Sequence, residues 1–170
     1  MKVEDVLRQK KAAILEKWFQ LLLDTYPAET SRFLKEEKNQ FANPVGHAFY
    51  QGIEGLYEGL LQGLEPEKIS PFIDKIVRIR AVQDFLPSQA NAYIFLLKRA
   101  IREELAAELR ENRVPIKELL TFESRIDELA LHSFDIYMKC REKIYEIRVN
   151  EVKNRTAKLL ERANLVLNLP

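Results

Sequence analysis

From Gly46 to Gly63 the chain reads GHAFYQGIEGLYEGLLQG, and all five glycines of the 170-residue sequence lie inside it. Between them Phe49, Ile53, Leu56, Tyr57, Leu60 and Leu61 recur at helical spacing, so the stretch reads as a helix. Each interior glycine costs a helix about 1 kcal/mol relative to alanine. Gly52, Gly55 and Gly59, spaced by three and four, share one side of it with Gly63. A helix bared on one side admits a second helix at short range, so this stretch predicts a close crossing in an all-α fold.

Outward from that helix, proline marks where helices begin. Asn43-Pro44 and Ser70-Pro71 pair a capping residue with proline at the first helical position, and Pro66, Pro87 and Pro115 each precede a new pattern. Six helical segments follow, over about residues 3–24, 28–38, 44–62, 66–82 (with a break expected at Ser70-Pro71), 87–111 and from Pro115 onward. No stretch alternates as a strand does.

The last segment has neither glycine nor proline from Ile116 to Asn168. Along it Ile126, Ala130, Ser133, Tyr137, Cys140, Ile144 and Ile147 step by four and three, the repeat of a coiled-coil seam. A second stripe, Val152, Thr156, Leu159, Ala163 and Val166, continues in a shifted frame. The expectation is a homodimer with this seam at its centre, a body over 1–148 and a helical extension over 149–170.

Composition narrows the function. With 46% hydrophobic and 31% charged residues the chain has material for a core but no apolar run long enough to span a bilayer. The N-terminus lacks an apolar signal core and Cys140 is the single cysteine, so a cytoplasmic protein is expected, without membrane insertion. The net charge is +1, with acids and bases interleaved, which argues against nucleic acid as a partner.

Two strings carry a resemblance: FLKEEKNQFANPVG at Phe33–Gly46 and IRAVQDFLPSQANAYIFLLKRAI at Ile79–Ile101. Both resemble the N-terminal domain of the RsbT co-antagonist proteins, the sensory half of stressosome scaffolds, over about Leu7 to Arg155. The resemblance implies a haem-free, globin-like helical domain that dimerises through its terminal helices and acts in stress-response signal transduction. In the full-length scaffolds the terminal helix leads to a STAS domain. Here the sequence stops after KNRTAKLLERANLVLNLP, so a stand-alone sensor or adaptor is expected, with a signalling or redox-complex protein as partner. Arg78, Arg80, Asp84, Phe85, Pro87, Ser88 and Gln89 fall on the most recognisable motif. It reads either as a helix corner or as an interaction surface, and Arg80 and Asp84, one turn apart, are placed to pair.

Chemistry is sparse. His47 and His132, the two histidines, read as structural, which leaves a haem without its axial ligand and a metal without a site. Neither a phosphate loop nor a nucleophile beside a base is evident, so neither a cofactor nor an enzyme activity is expected. Trp18, Phe19, Phe49, Tyr50, Tyr57, Phe72, Phe85, Tyr93 and Phe95 leave one alternative open, a pocket for a small apolar ligand such as a fatty acid.

Overall fold

The structure is a computed structural model and describes residues 2–163. All its regular structure is helical: α1 Val3–Gln9, α2 Lys11–Leu23, α3 Ala28–Glu36, α4 Pro44–Gln62, α5 Pro66–Val82, α6 Pro87–Glu104, α7 Ala106–Arg110 and α8 Ile116–Arg162. Five of them close a ring, in which α4 packs on α5, α5 on α8, α8 on α6, α6 on α2 and α2 on α4. Inside the ring Trp18, Phe49, Tyr57, Tyr93 and Ile126 lose all solvent contact. Two buried donors in that core are satisfied by backbone carbonyls. Trp18 Nε1 donates to the Tyr93 carbonyl (2.7 Å) and the Tyr57 hydroxyl to the Leu7 carbonyl (2.9 Å).

Two expected segments are broken and one expected break is absent. The first segment parts at Lys10, whose ammonium reaches the Glu104 carbonyl (2.5 Å) and the Glu108 carboxylate (2.8 Å) at the α6–α7 junction. The fifth parts at Leu105, itself fully buried. By contrast α5 runs unbroken through Ser70-Pro71. Proline in the second turn removes one N–H donor, and burial of Ile69, Ile73, Ile76 and Val77 holds the helix together across that loss.

The glycine helix behaves as its pattern requires along most of its length. A Cβ on Gly52 would lie 2.7 Å from Ile76 Cγ1, one on Gly59 2.8 Å from Ile69 Cγ1, and one on Gly55 inside the Phe72 ring. The bare side of α4 thus receives three side chains of α5. Gly63 is not part of that side. It ends α4 in the left-handed region at φ 67°, where glycine is the residue without steric cost. Gly46 sits against the capping residue Asn43, whose Oδ1 accepts from the Gly46 N–H (2.9 Å) while its Nδ2 donates to the Leu34 carbonyl (3.0 Å).

The first half of α8 lies against α5 and α6, and from Tyr145 to Ala163 every residue is exposed. At 1.5 Å per residue the exposed part of the helix is about 27 Å long.

Replacing Gly52 or Gly55 with leucine should lower stability by about 1–3 kcal/mol through overpacking, against a helix-propensity return of under about 1 kcal/mol. Adding Phe72→Ala to Gly55→Leu should recover part of that loss. Urea denaturation of the single and double variants measures both effects; a rise in midpoint for both single variants would mean that α5 does not need the bare side.

Candidate functional site

The chain turns a corner between α5 and α6. After Val82 the backbone passes through Gln83, enters the left-handed region at Asp84 (φ 57°) and becomes extended at Leu86 (ψ 149°). Pro87 then starts α6 with φ already set, and it bars helical geometry at Leu86. Gln89 Oε1 accepts from the Leu86 N–H (3.2 Å), which steadies the first turn. Ser88 is exposed. Arg78 points outward and pairs with Asp74 (2.7 Å).

Arg80 does the opposite. It falls on the inner face of α5, in step with Ile73, Ile76 and Val77, and is fully buried. Its guanidinium carbon lies 4.9 Å from the ring centre of Phe85, 5.4 Å from Tyr26, 5.7 Å from Tyr93 and 5.9 Å from Phe49. One Nη donates to the Gln89 carbonyl (2.9 Å) and the other to the Thr25 hydroxyl (2.7 Å). Among the described residues no carboxylate lies within ion-pair distance. Among the described residues two buried side-chain polar atoms lack a hydrogen-bond partner, Arg80 Nε and the Tyr93 hydroxyl. Burial pushes the Arg80 pKa down, and the Tyr26 and Tyr93 hydroxyls push it back up. Guanidinium is too weak an acid to lose its proton in a protein, so the cation persists inside four aromatic faces.

The expected Arg80–Asp84 pair therefore does not form. Arg80 is drawn inward by its place on the helix, and the left-handed turn aims Asp84 at α8 instead. There Asp84 meets Arg141 (2.8 Å) and Arg148 (3.7 Å), and the Arg141 hydrogen bond holds its carboxyl below the usual range. Arg141 also donates to the Ala81 carbonyl (2.7 Å) and the Tyr145 hydroxyl (2.8 Å). The Tyr137 hydroxyl donates to the Phe85 carbonyl. The corner is thus fastened to α8 at the point where that helix leaves the body.

The residues of the seam divide accordingly. Ile126, Ala130, Ser133 and Tyr137 are buried within the chain itself, Ser133 bonding to Asn91 (2.6 Å), so α5 and α6 cover this part of α8. Cys140 and Ile144 are half-buried in a groove with Val82 and Ile136, and burial pushes the Cys140 thiol pKa up, away from the reactive thiolate. Ile147 is exposed. Val166 lies outside the described residues. His47 is exposed, and His132 Nε2 lies 2.6 Å from the Ser70 hydroxyl. Of the aromatic set, Phe49, Phe85 and Tyr93 close on the guanidinium, while Tyr50 and Phe95 face outward. Sequence reasoning missed Thr25, Tyr26 and Arg141. Only the apolar register of Arg80 signalled an inward cation.

Arg80→Ala should destabilise the protein by about 3 kcal/mol, because it leaves a cavity and unpaired acceptors. Arg80→Met, which fills the space without a charge to desolvate, should stay within about 1 kcal/mol of the parent. Guanidinium-induced unfolding checks both. A loss for Arg80→Met as large as for Arg80→Ala would show that the charge itself holds the fold.

Comparison with known proteins agrees with the motif at this corner. A protein of Archaeoglobus fulgidus, described only as uncharacterised, is 30% identical over 143 residues, covering 81% of this chain and 82% of the relative. No solved structure matches the chain significantly. The family model described as the RsbT co-antagonist protein rsbRD N-terminal domain matches residues 12–152, which include the whole α5–α6 corner and α8 as far as Val152. The chain belongs to the RsbT co-antagonist protein rsbRD N-terminal domain family.

Proposed function

We propose that the chain is a non-enzymatic sensor or adaptor of stress signalling, in which a packing change at the Arg80 corner passes along α8 to a protein partner. The observation that carries this is the fastening of the corner to α8 by Tyr137 and Arg141, directly before the helix becomes solvent-exposed. An element with two arrangements at that corner would tilt or release α8 as a unit, which is what coupling between distant sites requires. Family membership supports a place in stress-signalling scaffolds, and a cytoplasmic setting is part of the same reading.

The homodimer belongs to this reading too, on a different face from the seam. Leu131 (71% exposed), Leu120 and Phe134 lie outward on the body half of α8, and Phe95 is outward on α6. The two helices run antiparallel there, with Asn91 against Ser133 and Lys98 against Asp127, which puts Phe95 at the height of Leu131. A second copy across this face would cover all four.

Light scattering should give twice the 19.9 kDa chain mass, and Leu131→Glu with Phe134→Glu should return a monomer. Deleting residues 150–170 should leave a helical, cooperatively unfolding body that no longer retains the partner captured by the full chain. Arg141→Met should lower amide-exchange protection both at the corner and in residues 138–148. Independent responses of the two segments would refute transmission through α8.

A further inference from the structure

The exposed part of α8 carries its own heptad. Tyr145, Val149, Val152, Thr156, Leu159 and Ala163 step by four and three, and Val152 and Leu159 are each 63% exposed. This is a narrow stripe of two positions in seven. It has the width of a coiled-coil seam, not the broad apolar face with which helices lie on membranes. Directly before Val149, Thr156 and Ala163 stand Arg148, Arg155 and Arg162, seven residues apart and therefore stacked along one flank. The other flank holds Glu146, Lys153 and Leu160. Intramolecular pairing leaves the arginines largely in solvent. Arg148 approaches Asp84 only to 3.7 Å with a side chain 53% exposed, and Arg155 approaches Glu151 to 3.3 Å with one 75% exposed.

The flanks decide the occupant. A second copy laid antiparallel on this seam sets the arginine flank against its own equivalent. Laid parallel, it sets Arg148 against Lys153 and Arg155 against Leu160 of the second copy, so neither arginine meets a carboxylate there. Either way like charges meet, at a cost that disfavours that pairing. From Tyr145 to Ala163 the helix holds five basic and three acidic residues, so the field along the face is positive.

We propose that the Tyr145–Ala163 face of α8 docks one amphipathic helix of a protein partner, with apolar residues on its seam and Asp or Glu on the flank that meets Arg148, Arg155 and Arg162. This deepens the reading of α8 as the output element and rests on it. The seam supplies apolar burial, and the three arginines set partner choice and orientation, since each presents a planar fork matched to carboxylate.

Fluorescence anisotropy with the full chain tests the proposal. Two designed helical peptides share a Val/Leu seam; one carries Glu at all flanking positions and the other Lys. The chain should bind the Glu peptide at least about tenfold more tightly. In the variant Arg148→Glu, Arg155→Glu, Arg162→Glu, with circular dichroism unchanged, the preference should reverse toward the Lys peptide. A merely structural role for the arginines would not produce that reversal. Equal or absent binding of the two peptides overturns the proposal. So does tighter association with vesicles of anionic phosphatidylglycerol than with the Glu peptide, or a dimer that Val152→Glu and Leu159→Glu convert to monomer. If the peptides fail while deletion of 150–170 still releases the captured partner, only the partner's chemistry is wrong. If the deletion retains the partner, the output role of α8 fails as well.

Discussion

A guanidinium without water is the constraint around which the body is arranged. Removing a cation from solvent costs several kcal/mol, and among the described residues no carboxylate returns it. Compensation comes from many small sources: two hydrogen bonds and four ring faces, each worth roughly 0.5–2 kcal/mol. These sources come from different elements. Thr25 and Tyr26 follow α2, Phe49 is on α4, Phe85 is in the corner, and Tyr93 and the Gln89 carbonyl belong to α6. Displacing any one of them weakens the hold on the charge, so the positions of α2, α4, α5 and α6 are coupled through a single side chain.

That coupling explains why the corner itself is so restrained. Pro87 fixes where α6 starts, the left-handed Asp84 fixes where the chain turns, and Gln89 fixes the first turn while lending its carbonyl to Arg80. Each device is local, yet together they orient Asp84 and the Ala81 and Phe85 carbonyls toward α8, where Arg141 and Tyr137 are waiting.

Helix positions were legible from proline placement and apolar spacing, because both signals are local. The contact face of Gly52, Gly55 and Gly59 was legible for the same reason, while Gly63 was not, since a terminal glycine serves backbone geometry and its spacing imitates the packing side. The breaks at Lys10 and Leu105 depend on tertiary neighbours that sequence spacing does not reveal. Arg80 misled because a charged residue four before an acid reads as a surface pair. Its register with Ile73, Ile76 and Val77 pointed inward and was the better signal. The seam from Ile126 to Tyr137 misled in a related way: a coiled-coil repeat states that a stripe is covered, but not whether the cover is a second chain or the rest of the same one.

Because α8 is a single unbroken helix, its two ends obey lever arithmetic. From Tyr137, the last fully buried residue, to Arg162 is about 37 Å at helical rise. A tilt of about 5° at Tyr137 carries Arg162 sideways by about 3 Å, while the pivot atoms move by a fraction of an ångström. A displacement too small to repack the core is therefore large enough at the tip to exchange one hydrogen-bonding partner for another.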